Sequence, residues 1–244
     1  MPETLRLRVV TYNVHRCRGL DTRVRPSRIA EVLKELNADI LALQEVLSIP
    51  GAAREADQAR YLAEELQFHH AIGENRTLQG GSYGNVVLSR YPLRSVCNYD
   101  LSVDGRERRG CLRTDIHWNG DRLLHVFNVH LGTAFLERRS QARKLLAAEV
   151  IKNSDLLGPR IVLGDFNEWT YGLVSRLLSS EMRSVEITAH LPRTKTYPGI
   201  LPFMHLDHIY YDPPLYIERL ALHRSRTALV ASDHLPLVAD FRLM

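Results

Sequence analysis

Short apolar runs alternate along this chain with helix-period segments, and polar residues collect where the apolar runs stop. Leu5 to Asn13 reads as a buried strand: Val9, Val10 and Tyr12 supply β-branched and aromatic weight, and Asn13 ends the run. Pro26 to Leu36 reads as a helix, with Ile29, Val32, Leu33 and Leu36 on one face, Pro26 in the first turn and Ser27 as a candidate cap. Ile40 to Leu43 is the next strand and delivers Gln44 and Glu45 to its end. Asp57 to Leu66 places Ala59, Leu62, Ala63 and Leu66 on one helical face.

Gly73 to Gly84 is rich in glycine and polar residues and reads as a loop, with Gly80-Gly81-Ser82-Tyr83-Gly84 as a flexible rim. Val86-Val87-Leu88 is a strand broken by Tyr91-Pro92, and another begins near Arg94. Cys111 to Trp118 and Arg122 to Asn128 flank Asn119-Gly120, the strongest hairpin-turn pair in the chain, and the hairpin ends in Val129-His130. Leu136 to Ile151 is the longest predicted helix. Ile161-Val162-Leu163 runs into Gly164-Asp165, and Leu206 to Tyr211 and Leu237 to Phe241 are the last strands, each beside a carboxylate. Mixed strands and helices with a hairpin argue for an α/β sandwich, one domain over residues 1–244, and against a purely parallel sheet.

Composition narrows little. Of the 244 residues 45% are hydrophobic and 25% charged, the average of a globular chain. No apolar stretch of about eighteen residues is present to span a bilayer, and Met1 to Arg8 alternates charge with leucine where a signal peptide would be apolar. A cytoplasmic protein without stable membrane insertion is expected, and a monomer by default. Cys17, Cys97 and Cys111 are odd in number and widely spaced, which fits reduced thiols. A net charge of +4 suits a phosphate-bearing substrate without implying a nucleic-acid tail.

The polar residues at the strand ends carry the chemistry. Two like charges about 4 Å apart repel by about 4 kcal/mol at an effective dielectric of about 20. If Glu45, Asp165, Asp207 and Asp233 converge, a cation is the simplest remedy. Oxygen-only donors without cysteine point to a hard ion, Mg²⁺ or Mn²⁺. His130 and His234 titrate near neutrality and suit donation to a phosphate oxygen or a leaving group, with Asp207 the preferred orienting carboxylate. Asn13 and Asn167 add neutral donors. Together these describe a phosphoester hydrolase.

Thr11-Tyr12-Asn13, Leu43-Gln44-Glu45-Val46, Asn128-Val129-His130-Leu131, Gly164-Asp165-Phe166-Asn167, Leu206-Asp207-His208-Ile209 and Ser232-Asp233-His234 resemble, in order, the motifs of the endonuclease/exonuclease/phosphatase superfamily. The likeness runs from residue 5 to 242. Gly84 to Pro92 with Arg108-Arg109-Gly110 further resembles a small bacterial branch. The resemblance implies a deoxyribonuclease I-like, four-layer α/β sandwich of two packed mixed sheets flanked by helices. It implies Glu45 as principal Mg²⁺ ligand with Asn13 and Asp233 near metal or phosphate, and Asp165 positioning or deprotonating the attacking water. It also implies Asn167 steadying the transition state, His234 oriented by Asp207 on the scissile phosphate, and His130 assisting the leaving group. His15 stands where abasic endonucleases carry an acidic residue, and His130 where they carry tyrosine, so the site resembles the deoxyribonuclease and phosphatase branches more closely.

Asn85, Arg109 and Tyr197 are candidate substrate contacts, Asn85 as a residue able to reach His130 or, equally, to pack at a strand start, and Arg109 as part of a basic knot with Arg106 and Arg108 that either grips a phosphate or is a solvated hairpin. Phe135, Trp169, Tyr171 and Phe203 are candidate groove aromatics. Nucleic acid is the favoured substrate class, because the chain is mildly basic and the deoxyribonuclease branch shares His130; a phospholipid headgroup or inositol phosphate is second, and a catalytically silent phosphate-binding module third.

Overall fold

Two stretches of chain fold by the same plan. The computed structural model describes residues 5–118, 122–168, 172–184, 196–197 and 204–243. In the first stretch β1 (Arg6–Asn13), α1 (Pro26–Leu36), β2 (Ile40–Ser48), α2 (Gln58–Leu66), β3 (His69–Leu78) and β4 (Gly81–Ser89) follow one another. After β5 (Leu93–Asp100) and β6 (Gly110–His117), the second runs β7 (Leu123–His130), α3 (Phe135–Leu145), β8 (Arg160–Asp165), α4 (Leu173–Glu181), β9 (Arg183–Ser184) and β10 (Asp207–Tyr211). The chain closes with β11 (Leu215–Leu222) and β12 (Leu237–Leu243).

The strand orders are β11-β12-β1-β2-β4-β3 and β5-β6-β7-β8-β10-β9, so the block β1-β2-β4-β3 matches β7-β8-β10-β9. Each sheet has a single parallel pair at its centre, β1 with β2 and β7 with β8; the other pairs are antiparallel. This topological duplication has no counterpart in sequence repeats.

Three apolar clusters make the four layers. One lies between the sheets and holds Val9, Ile40, Val87, Leu112, Val126 and Ile161. A second packs α1 and α2 on the outer face of the first sheet through Val10, Tyr12, Ile29, Leu33 and Leu62. The third packs α3 and α4 on the second sheet through Phe127, Val129, Leu145, Val162 and Leu178. Central strands buried on both faces read as continuous apolar runs, which is why β1, β7 and β8 stand out in the sequence.

Several expectations need correction. The region 73–84 is a hairpin, not a loop: β3 is an edge strand whose outward residues are polar, and Gln79 (φ 51°) and Gly80 (φ 77°) form a two-residue turn with both positions left-handed. Gly81 to Gly84 therefore belong to β4. α3 stops at Leu145; Val150 and Ile151 keep the apolar rhythm because they are buried from turns. Ser27 does not cap α1, where Pro26 takes the first helical position and Arg25 precedes it. α4 and β11 add elements the periodicity did not mark. Asn119-Gly120, Trp169, Tyr171 and Phe203 lie outside the described residues; β6 and β7 pair antiparallel as the hairpin requires.

A polar seam crosses the inter-sheet core. Gln44 Nε2 donates to Asn128 Oδ1 at 2.8 Å and to Thr11 Oγ1 at 3.1 Å. Asn128 Nδ2 donates to the carbonyls of Leu43 and Val86, both at 2.9 Å. Asn128 is fully buried and joins β7 to β2 and β4 of the opposing sheet. Asn128→Ala removes the three hydrogen bonds that join β7 to the opposing sheet here and leaves a buried void, so urea unfolding should show a loss of at least about 2 kcal/mol.

Candidate active site

The carboxyl ends of the two central parallel pairs meet at one edge of the sandwich. Register places Asn13 beside Gln44 in one sheet, and His130 beside Asp165 and Asp165 beside Asp207 in the other. Gly164 (φ 147°) makes that second row possible. A Cβ there would sit 1.9 Å from Val129 O, so only glycine lets β8 approach β7 this closely.

Two further backbone departures aim side chains into the site. β2 carries a bulge between Leu43 and Val46 against β4, and Glu45 within it is left-handed (φ 59°). Gln44 therefore points into the core while Glu45 sits half-buried at the mouth. Asn167 is also left-handed (φ 50°), and its N–H donates to Asp165 Oδ1 at 2.9 Å, an Asx-type turn that fixes the carboxylate. Of the nine non-glycine residues in this conformation among the described residues, these two fall inside site motifs, where backbone strain is often held.

Asn13 is the clamp across the sheets. Its Nδ2 donates to Glu45 Oε1 at 3.1 Å and to Asp165 Oδ2 at 3.0 Å, while its Oδ1 accepts the His15 N–H at 3.0 Å. Ser232 Oγ donates to the Asn13 carbonyl at 2.8 Å, bringing Asp233 to the same strand end, where His15 Nδ1 lies 3.6 Å from Asp233 Oδ1. His130 Nε2 and His234 Nε2 each stand 3.6 Å from Asp165 Oδ2. Asn167 Nδ2 donates to Leu131 O at 2.9 Å, which ties β8 to the turn after His130.

The two imidazoles are driven in opposite directions. His234 Nδ1 donates to Asp207 Oδ2 at 3.1 Å. Burial opposes charge on that ring, but Asp207 and Asp165 outweigh it and raise its pKa to about 10. His130 is pushed well below its usual range by burial and by Arg109 and His234. Arg109 Nη1 donates to His130 Nδ1 at 3.4 Å, so the neutral ring carries its proton on Nε2, facing Asp165. Burial and the neighbouring Asp207 raise Asp165 to about 6 against the pull of His234, Asn13 and the Asn167 N–H. Nitrogen NMR of metal-free protein should show His234 protonated to about pH 10 and His130 neutral with its proton on Nε2. Because the folded pKa of His234 exceeds its ordinary 6.5, its stabilising contribution is complete below that value and is lost as pH rises through about 10.

Nearly all the expected residues gather here. Tyr197 joins them with its ring 4.9 Å from that of His234. Arg109 is buried and paired with Glu107 at 2.9 Å, whereas Arg106 and Arg108 are exposed, so the basic knot divides. Asn85 is the exception. It has no exposed surface, and its amide donates to the carbonyls of Gly110 and Asn128, so it pins the sheets together and does not face the mouth. Tyr83, buried beside Glu45, was not marked by the sequence pattern because β2 and β4 bring the two together from far apart in the chain; Glu107, also unmarked, pairs with Arg109 from the same loop before β6. A polar cavity of 530 Å³ lies at the opposite end of β1, where Arg8 and Arg90 are paired with Asp240 and Asp39.

The donor set suits a hard cation. Glu45 and Asp233 are partly open and offer carboxylate oxygens, and Asn13 Oδ1 keeps one lone pair beyond the His15 contact. Among the described residues no three His, Cys, Asp or Glu side chains form a ready-made cage. Mg²⁺ needs no such cage, since it binds through one or two carboxylates and keeps several waters for substrate to replace.

Comparison with known proteins identifies the family and the fold. The model of the Endonuclease/Exonuclease/phosphatase family matches residues 10–234. The protein YbhP of Escherichia coli K12 is 31% identical over 247 residues, covering 97% of this chain and 96% of YbhP. An endonuclease/exonuclease/phosphatase structure from Beutenbergia cavernae is 26% identical with a TM-score of 0.71, over 98% of this chain and 72% of that one. A family protein from Bacteroides thetaiotaomicron, 16% identical, superposes with a TM-score of 0.79 over 99% of both chains.

Proposed function

The chain belongs to the endonuclease/exonuclease/phosphatase family, and from that premise we propose that it is a Mg²⁺- or Mn²⁺-dependent phosphodiesterase. The observation that carries this is Asp165, a buried carboxylate held by Asn13 and the Asn167 N–H and flanked by two imidazoles of opposite protonation preference. Asp165 takes the proton of the attacking water, and Asn13 keeps its Oδ2 aimed. His234, charged beside Asp207, donates to a phosphate oxygen and offsets the charge that develops there. His130, neutral with Nε2–H inward, supplies a second donor; its Nδ1 is occupied by Arg109, which suits hydrogen-bond donation better than delivery of a proton to the leaving group. Glu45, with Asp233 and Asn13 beside it, would hold a divalent cation, which when bound would neutralise charge on the phosphate.

Nucleic acid is the substrate class that the basic balance of the chain supports. A phospholipid headgroup is the second reading, and exposed aliphatic side chains on segments that adjoin the site motifs favour it. Cys17, Cys97 and Cys111 are free thiols, in keeping with a reducing compartment; no helix among the described residues is long and apolar enough to cross a membrane. Initial rates on plasmid DNA, on phospholipid vesicles and on bis(p-nitrophenyl) phosphate across a salt series test the reading. Nucleic-acid cleavage falls steeply with salt as phosphate contacts are screened, while the small diester is indifferent. No turnover of any of the three by folded, metal-loaded protein contradicts the proposal.

A further inference from the structure

Seven large hydrophobic side chains are exposed among the described residues, and five of them sit on segments that adjoin site motifs. Leu20 (40%) and Val24 (56%) lie on the loop between Asn13 and α1, and Val230 (41%) lies on the helical turn that leads into Ser232-Asp233-His234. Phe135 (59%) and Leu136 (72%) open α3, just beyond His130. The first three form one patch. Arg18 bridges to Val24, Gly19 N–H donates to Arg23 O at 3.1 Å, and Leu20 N–H donates to Val230 O at 3.1 Å, so a small hairpin leans on the turn before Asp233.

The same hairpin is strongly basic. Between Arg16 and Arg28 stand five arginines and one acid, Asp21, a surplus equal to the whole chain's net +4. Asp21 is paired with Arg28 at 3.0 Å. Arg18, Arg23 and Arg25 are exposed and in no ion pair among the described residues, and so is Arg226, four positions before Val230. Arginine alone would serve any polyanion. Leucine and valine do not stack on bases as aromatic side chains do, whereas aliphatic tips ringed by cations match a bilayer surface, the tips entering the headgroup boundary and the arginines meeting anionic lipid.

From this juxtaposition we infer that the Arg18–Arg25 hairpin and the turn carrying Val230 are a docking surface for an anionic phospholipid membrane, seating the mouth of the site against headgroups. The inference rests on the proposed hydrolase only for what docking serves, a headgroup phosphodiester presented to Asp165; docking itself is read without turnover.

Flotation of the full-length protein with phosphatidylcholine vesicles, with and without phosphatidylglycerol, tests it. The wild type binds the anionic vesicles and not the neutral ones. Leu20→Asp combined with Val24→Asp weakens partitioning by about tenfold or more, from the lost burial of two aliphatic side chains. Arg23→Gln and Arg25→Gln each cost about fivefold. Unchanged thermal unfolding shows that the variants remain folded. Absence of binding to anionic vesicles overturns the inference, as does binding that ignores the aliphatic changes. So does retention on duplex DNA that depends on Arg23 and Arg25 alone, or a dimer in light scattering that the aspartates dissolve. Inactivity on every phosphodiester with vesicle binding intact would instead count against the proposed hydrolase.

Discussion

Asp165→Asn lowers phosphodiester hydrolysis by about three orders of magnitude with the fold intact. The amide has the volume of the carboxylate but cannot take a proton from water. It also cannot satisfy both of its present donors, because turning its oxygen to the Asn167 N–H sets its NH₂ against Asn13 Nδ2, and the reverse turn sets it against the Asn167 N–H. Stability does not fall in proportion. Burial holds the Asp165 carboxyl near a pKa of about 6, against an ordinary 3.8, so this group favours the folded state progressively as pH falls between those values. In metal-free protein the wild type therefore gains stability relative to the variant as pH drops from about 6 to about 4. Steady-state rates together with urea unfolding at several pH values separate the catalytic loss from any folding loss.

Glu45→Gln is the second large effect. The amide oxygen can still accept from Asn13 Nδ2, and the left-handed backbone at the bulge is unchanged, so the mouth keeps its shape. What is lost is the charge nearest the proposed cation. Half-maximal Mg²⁺ rises by at least about tenfold, since a hard ion that holds its waters depends on one or two carboxylates. The rate at saturating metal falls by about a hundredfold or more. Titration calorimetry reads the affinity, and a metal series reads the rate. Unchanged metal dependence would remove Glu45 from the metal site.

How much of this was legible in the sequence follows from burial. β1, β7 and β8 are buried on both faces, so their apolar runs stop abruptly at Asn13, His130 and Asp165, and the break in pattern marks the site. β3 and β11 keep solvent-facing polar residues on partly exposed strands, and no comparable run announces them. Val150 and Ile151 prolonged the apparent helix because burial, not helical hydrogen bonding, sets their period.

Asn85 shows the opposite failure. A polar residue beside glycines near a motif suggests an open rim, yet it lies in the middle of β4 facing another sheet, and its partners, Gly110 and Asn128, come from β6 and β7. The contact that tunes His130 has the same origin: Arg109, immediately before β6, reaches it because β6 pairs with β7, which spacing along the chain does not encode. His125 is a further case. It forms a buried pair with Asp115 at 2.7 Å on β6 and β7, well away from the site, so proximity to a carboxylate is not itself a mark of catalysis.

The most direct test of the central claim is hydrolysis of bis(p-nitrophenyl) phosphate by the wild-type chain after EDTA treatment, before and after Mg²⁺ or Mn²⁺ is returned, with Asp165→Asn alongside. Activity is expected to disappear with EDTA, to return with either ion, and not to return in the variant. Hydrolysis that survives EDTA, or that Asp165→Asn retains in full, would contradict it.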